Sequence, residues 1–263
     1  MDGKRVILAA HRGDRVNFPE NTIPAFRSAI EFGVDMIETD IRMTLDGELV
    51  LIHDRSALRT AGVDKNIDEM TLEEVKKLDT GSVFPAEVGF VPVPTVREFM
   101  ELIKDTEVLV NWEFKVCPTL FGDEVAFSVA DKLVSLIEEY GLEKRSMMNS
   151  FSSRLLEYVY KKYPDKFVFH GQGIHGCRRS YDEPLLEEKE LFDWCCLYPD
   201  VKGERALDYK SNFDYCKENG IIPCICIKDT FDDYKLAIEY GCRMFTSNDI
   251  FEADRILREL SVR

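Results

Sequence analysis

The sequence is short of positive charge. Its 263 residues carry 34 Lys and Arg against 49 Asp and Glu, a formal charge of −15 with histidine neutral. A surface built for DNA or RNA needs a Lys/Arg excess, so a nucleic-acid partner is excluded. The same balance argues against stable association with an anionic membrane. It leaves an anionic small substrate open, because a few cations or a bound metal can reverse the sign of one cleft. Long hydrophobic runs are also missing. None approaches the ~18 consecutive apolar residues of a membrane span. The N-terminal run Val6–Ala10 is stopped at once by His11-Arg12. That is shorter than the roughly 7–15 residues of a secretory h-region, so the run reads as a first strand and the expected location is cytoplasmic. No CxxC occurs, which leaves a zinc ribbon or a thioredoxin motif unsupported. Of the eight cysteines, Cys195-Cys196 and Cys224 and Cys226 lie inside apolar runs and read as reduced, small core residues. Low-complexity linkers are absent as well.

What is present is a rhythm. Hydrophobic residues make up 45% of the chain, enough for a sizeable core. Eight short apolar runs recur: Val6–Ala10, Met36–Ile41, Val108–Phe114, Met147–Phe151, Phe167–Phe169, Trp194–Tyr198, Ile221–Ile227 and Arg243–Thr246. Near-continuous apolar character at that length suits strands buried on both faces, as in parallel sheets. Helical patterns separate them, at Ile23–Phe32, Thr95–Lys104, Asp123–Tyr140, Ser153–Tyr163, Glu204–Glu218, Phe231–Tyr240 and Ile250–Leu260. Thr22 is placed to cap the first, and Gly33, Gly141, Gly220 and Gly241 follow helix ends. Eight strands with intervening helices at this length predict an α/β fold, a (β/α)8 TIM barrel, with an open doubly wound sheet as the alternative. Residues 44–94 break the rhythm with a Thr44-Leu45-Asp46-Gly47 turn, an extra apolar run Leu49–Ile52 and a long polar segment. That segment, about 55–94, is too long for a plain loop and reads as an insertion after strand 2 within a single domain covering 1–263. A small helix is expected at Leu72–Leu78, opened by a Thr71-Leu72-Glu73-Glu74 capping box.

In such a barrel the active site lies at the C-terminal ends of the strands. Strand 1 ends in His11-Arg12-Gly13, strand 2 holds Glu38 and Asp40, the third barrel strand holds Glu113 and Lys115, and the extra run ends in His53-Asp54. Residues two apart on a strand point to the same side. Buried Asp, Glu and Lys are rare unless paired or metal-bound. Three carboxylates from two strands fit one divalent cation, Mg2+ or Ca2+, held through oxygen. They fit equally a salt-bridge network centred on Lys115. Histidine is the usual acid/base near neutral pH, so His11 and His53 are candidates, while His170 and His175 read as hydrogen-bonded strand-end residues. Arg12 can grip a phosphate or a carboxylate in bidentate fashion, or pair with Glu20.

The order of these fragments resembles a known family. His11-Arg12-Gly13, Pro19-Glu20-Asn21-Thr22, Ala25-Phe26, Glu38-Thr39-Asp40, Thr44, Asp46-Gly47 and His53-Asp54 look like the signature of glycerophosphodiester phosphodiesterases. Asn111-Trp112-Glu113-Phe114-Lys115 and Ser150-Phe151 continue it. The resemblance implies a (β/α)8 barrel with the insertion over its mouth. It implies hydrolysis of glycerophosphodiesters to glycerol 3-phosphate and an alcohol. By the same matching His11 and His53 would be the acid/base pair, Arg12 and Lys115 the phosphate holders, and Glu38, Asp40 and Glu113 the metal ligands. The C-terminal third departs from the family: Cys226-Ile227-Lys228-Asp229 stands where the family often has Trp-Thr-x-Asn, and Thr246-Ser247-Asn248-Asp249 replaces the usual Thr-Asp. Two alternatives remain at this point. One is a lipid phosphodiesterase of the phospholipase or sphingomyelinase D type, docking through an apolar tip at Val83-Phe84-Pro85 and Phe90-Val91-Pro92-Val93. The other is a phosphodiester-binding homologue without turnover.

Overall fold

The computed structural model describes residues 5–174, 181–182, 185–198, 204–225 and 230–263. Nine strands are present among them: β1 (Ile7–His11), β2 (Met36–Met43), β3 (Leu49–Leu51), β4 (Leu109–Phe114), β5 (Ser146–Ser150), β6 (Val168–Gln172), β7 (Trp194–Cys196), β8 (Ile222–Cys224) and β9 (Met244–Ser247). Eight are parallel and run β8-β7-β6-β5-β4-β2-β1-β9, and β3 is added antiparallel on β2. Among the described residues one parallel bridge, Ile225 to Phe245, links the two ends. The result is a nearly closed (β/α)8 barrel, with its eight parallel strands on the eight apolar runs of the sequence.

Strand alternation sorts the side chains. Leu8, Ala10, Ile37, Ile41, Val110, Trp112 and Phe114 point outward into the main core beneath the helices. Their neighbours point inward, and Ile7, Ala9, Met36, Met147 and Met244 close the floor of the barrel. Burying such strands on both faces accounts for their near-continuous apolar sequence. Glu38, Asp40, Asn111 and Glu113 fall on the inward parity and are buried.

The helices begin and end where their capping residues dictate. Thr22 accepts from the Ala25 amide to start Ile23–Phe32, and Gly33 ends it in the left-handed region. Capping boxes open the helices at Leu72–Val75 and Val96–Ile103. The first of these stops at Val75, short of the expected Leu78. The helix expected over Glu204–Glu218 is a 3-10 turn, Ala206–Asp208, followed by a helix only from Lys210 to Glu218. Arg205 and Asp208 satisfy each other around that turn, and this separates it from the helix.

The segment after β3 has its own apolar cluster of Val50, Ile52, Ala57, Ile67, Val75, Leu78 and Val93. In the expected apolar tip Val83, Pro85 and Phe90 are exposed, whereas Val91 and Val93 are buried. No helix among the described residues is long and apolar enough to cross a membrane. The segment Cys226-Ile227-Lys228-Asp229, with His175 and Cys177, lies outside the described residues.

Candidate active site

The C-terminal ends of β1, β2 and β4 open into a cavity of about 140 Å³ lined by His11, Arg12, Glu38, His53, Glu113 and Lys115. Asp40 lies fully buried beside it. All seven residues singled out in the sequence therefore converge. The turn after β1 carries two of them. Arg12 adopts φ +64, and Gly13 follows at φ +81. A Cβ on Gly13 would sit 2.8 Å from the Ala25 carbonyl carbon, so only glycine lets the turn lie against the first helix. The Arg12 amide donates to the Glu38 carbonyl at 2.9 Å, locking the turn to β2.

Three carboxylates form the centre. Glu38, Asp40 and Glu113 each place an oxygen within 4.8 Å of the others. Among the described residues neither oxygen of Glu38 accepts a hydrogen bond. Such buried, unsatisfied oxygens are costly unless a ligand completes them. Burial, then the charges of Asp40 and Glu113, drive the Glu38 carboxyl well above its ordinary range. Asp40 goes the other way: burial opposes ionisation, but Lys115, Arg12 and His53 outweigh it and hold the group well below the usual range. An all-oxygen set with spare lone pairs and excess negative charge fits a hard divalent cation. The salt-bridge arrangement is present too. Lys115 Nζ pairs with Glu113 and lies 3.1 Å from Asp40 Oδ1. A carboxylate set that could hold a cation and the salt bridges to Lys115 thus occur in one cluster, and Glu38 is the member that Lys115 does not pair with.

Arg12 also has its expected partner. Its Nη1 donates to Glu20 Oε1 at 2.8 Å, while its Nε lies 3.0 Å from Asp40 Oδ2. Glu20 in turn holds Arg15 at 3.2 Å and Arg59 at 2.7 Å. Burial raises the Glu20 carboxyl, but the Arg59 hydrogen bond and the three guanidinium charges bring it down to about 2.

The histidines are each fixed at Nδ1. His53 Nδ1 lies 2.5 Å from Asp54 Oδ1, and the Arg42 Nε donates to the His53 carbonyl at 2.8 Å. His11 Nδ1 lies 2.6 Å from Asn248 Oδ1, with Nε2 at 3.8 Å from Glu38 Oε2. An amide oxygen only accepts, so the proton of neutral His11 sits on Nδ1 and Nε2 presents its lone pair to the cluster. Burial, then the Arg12 charge, lowers His11 to about 4, which keeps it neutral near pH 7. Burial likewise lowers His53.

Sequence reasoning missed two residues of this site. Asn21 donates to Asp40 Oδ2 at 2.7 Å and accepts from Thr39 Oγ1 at 2.9 Å, from a left-handed backbone at φ +56. Asn248 was visible only as a departure after the last strand. The signal for Asn21 was its place in the Pro-Glu-Asn-Thr run. Nothing in the sequence linked Asn248 to His11 across 237 residues.

The family model for the glycerophosphoryl diester phosphodiesterase family matches residues 11–181, a span containing all seven site residues. The chain belongs to the glycerophosphoryl diester phosphodiesterase family. It is 41% identical over 160 residues to a glycerophosphodiester phosphodiesterase of Caldanaerobacter subterraneus, covering 61% of this chain and 64% of that protein. A glycerophosphodiester phosphodiesterase of Bacillus altitudinis is 33% identical over 158 residues, 60% of this chain and 62% of that one. The chain thus aligns with a little under two thirds of either relative. Solved structures match more of it at lower identity. A phosphodiesterase of Oleispira antarctica, in complex with the product sn-glycerol-3-phosphate, superimposes with a TM-score of 0.77 at 19% identity over 96% of both chains. A glycerophosphodiester phosphodiesterase of Agrobacterium tumefaciens gives 0.73 at 19% identity, over 95% of this chain and 99% of that one. These family structures share the barrel.

Proposed function

We propose that this protein hydrolyses glycerophosphodiesters to glycerol 3-phosphate and an alcohol, using one divalent cation, Mg2+ or Ca2+. The observation that carries the reading is the buried Glu38 carboxyl with both oxygens unsatisfied, beside Asp40 and Glu113 and flanked by two cations and two histidines at one cavity. Glu38, Asp40 and Glu113 would hold the cation. When bound, it would polarise a phosphoryl oxygen and favour ionisation of the attacking water. Arg12 and Lys115 supply positive charge where the transition state gathers negative charge. Lys115 leaves the carboxylates for the phosphate, on a side chain long enough for both. His11 is neutral and has Nε2 open, so it accepts the nucleophile's proton. His53 is backed by Asp54, whose carboxyl is held down at about 2 by Arg59 and His53 against the effect of burial. Asp54 favours the imidazolium against the burial that lowers His53, an aid His11 lacks, so His53 is the one assigned to protonate the departing alkoxide. Each proton-transfer role is typically worth 10²–10⁴-fold.

The product bound in the Oleispira relative supports glycerol 3-phosphate as the product here. The test is a panel of glycerophosphodiesters with Mg2+ and with Ca2+, read by phosphorus NMR. Release of glycerol 3-phosphate that EDTA abolishes is the expected result. Tight binding of the diesters with no product would make the chain a binding homologue. Turnover confined to phospholipid vesicles would favour the lipid reading instead.

A further inference from the structure

Below the acidic cluster the barrel interior holds a second group of metal-binding side chains. His170 on β6, Cys196 on β7 and Cys224 on β8 are all buried, and their ligand atoms lie within 4.8 Å of one another. His170 Nε2 is 3.0 Å from Cys224 Sγ. Cys196 and Cys224 are register partners on neighbouring parallel strands, so their side chains leave the sheet on the same side. All three line the floor of the cavity above. The layer is unusual for a barrel interior, where bulky branched residues dominate.

Asn111 provides the second observation. Its Nδ2 lies 3.2 Å from His170 Nδ1, while its buried Oδ1 has no hydrogen-bond partner among the described residues. Turning the amide over brings Oδ1 to His170 Nδ1. The amide oxygen then accepts the Nδ1 proton, and Nε2 is left with a lone pair facing the two sulfurs. That is the outer-shell arrangement that orients most metal-bound histidines. Burial keeps His170 neutral, as a ligand must be, by lowering it to about 4.

We propose that His170, Cys196 and Cys224 bind a thiophilic cation of the Zn2+ class, at a site separate in place and ligand chemistry from the carboxylates. Zn–S near 2.3 Å and Zn–N near 2.0 Å require tetrahedral ligands roughly 3.5–3.8 Å apart. Small side-chain rotations bring the present spacings, 3.0 Å for His170–Cys224 and none above 4.8 Å, into that range. Three protein ligands leave a fourth position open to the cavity, for water or an anion. Binding converts two thiols to thiolates and releases their protons to solvent, so two thiolates balance the dication. Imidazole and sulfur select this class against Mg2+ and Ca2+, which prefer oxygen.

The experiment uses the full chain carrying Glu38→Gln, so that the carboxylate site is impaired. Co2+ is titrated in and followed by its sulfur-to-metal charge-transfer absorption, then displaced with Zn2+ and with Mg2+. The expected result is one equivalent with a sulfur band, displaced by Zn2+ and not by Mg2+. Cys196→Ser and Cys224→Ser should each weaken the band, and Asn111→Ala should lower Zn2+ affinity by about 10-fold. X-ray absorption at the zinc edge of the unsubstituted protein gives a reading that needs no variant. Sulfur scatterers in the first shell support the site, and an oxygen/nitrogen shell overturns it. A sulfur band undiminished in both serine variants overturns it too. Loss of hydrolysis in Glu38→Gln with the sulfur band intact separates this site from the proposed hydrolytic one.

Discussion

Replacing Glu38 by Gln should stabilise the cation-free protein while removing its response to the cation. The buried cluster carries three carboxylates against two cations, Arg12 and Lys115. Glutamine keeps the shape and takes the count to two against two. A carboxylate pair no more than 4.8 Å apart repels by about 3 kcal/mol or more at an effective dielectric constant near 20. Part of this is already relieved, because the Glu38 carboxyl is driven toward its protonated form. A net gain of about 1–2 kcal/mol is what remains, or roughly 3–6 °C in Tm for a chain of this size. In the unsubstituted protein, cation at a hundred times its Kd should add about 2.7 kcal/mol. In Glu38→Gln that increment should largely vanish. The assay is thermal unfolding by circular dichroism in EDTA and then in excess Mg2+ or Ca2+. A variant that is less stable in EDTA, yet still stabilised by cation as before, would refute the reasoning.

Asn248→Ala removes the acceptor that fixes the His11 tautomer. Turnover should fall by about 10-fold or more with KM and cation affinity little changed, since Asn248 touches neither carboxylate nor Lys115 in the described contacts. An unchanged kcat in steady-state assays would count against the tautomer assignment. Stability should also fall as pH drops from about 6.5 to 4. Buried His170 has its folded pKa lowered to about 4, so the unfolded chain binds a proton first. Its contribution is complete above pH 6.5 and is lost on acidification, by about 3 kcal/mol at pH 4. His11 adds a loss of the same sign. Urea melts of His170→Gln should show a shallower decline over that window, and an unaltered decline would contradict the assignment.

Legibility in the sequence followed the range of the physics. Strand burial and helix capping are local, so the eight barrel strands and the Thr22-to-Gly33 helix could be read directly. The seven clustered residues were legible because parity along β2 and β4 puts Glu38 with Asp40, and Glu113 with Lys115. What escaped depended on contacts between distant strands. Cys196 and Cys224 looked like core residues beside Cys195, Cys216 and Cys242, which are indeed packed in the outer core. Only the barrel's closure turns the first two inward onto His170. The helix that periodicity extends back to Glu204 starts only at Lys210, because an Arg205–Asp208 exchange makes a separate turn before it.

The division of labour between His11 and His53 is the central claim. It is tested by turnover of His11→Ala and His53→Ala on two diesters, one releasing a poor alcohol leaving group and one releasing p-nitrophenol. Both variants should lose about 10²–10⁴-fold on the poor leaving group. On p-nitrophenol, which departs without a proton, His53→Ala should recover most of its rate and His11→Ala should not. Undiminished turnover in either variant on the poor leaving group, or recovery by His11→Ala instead, would contradict the account.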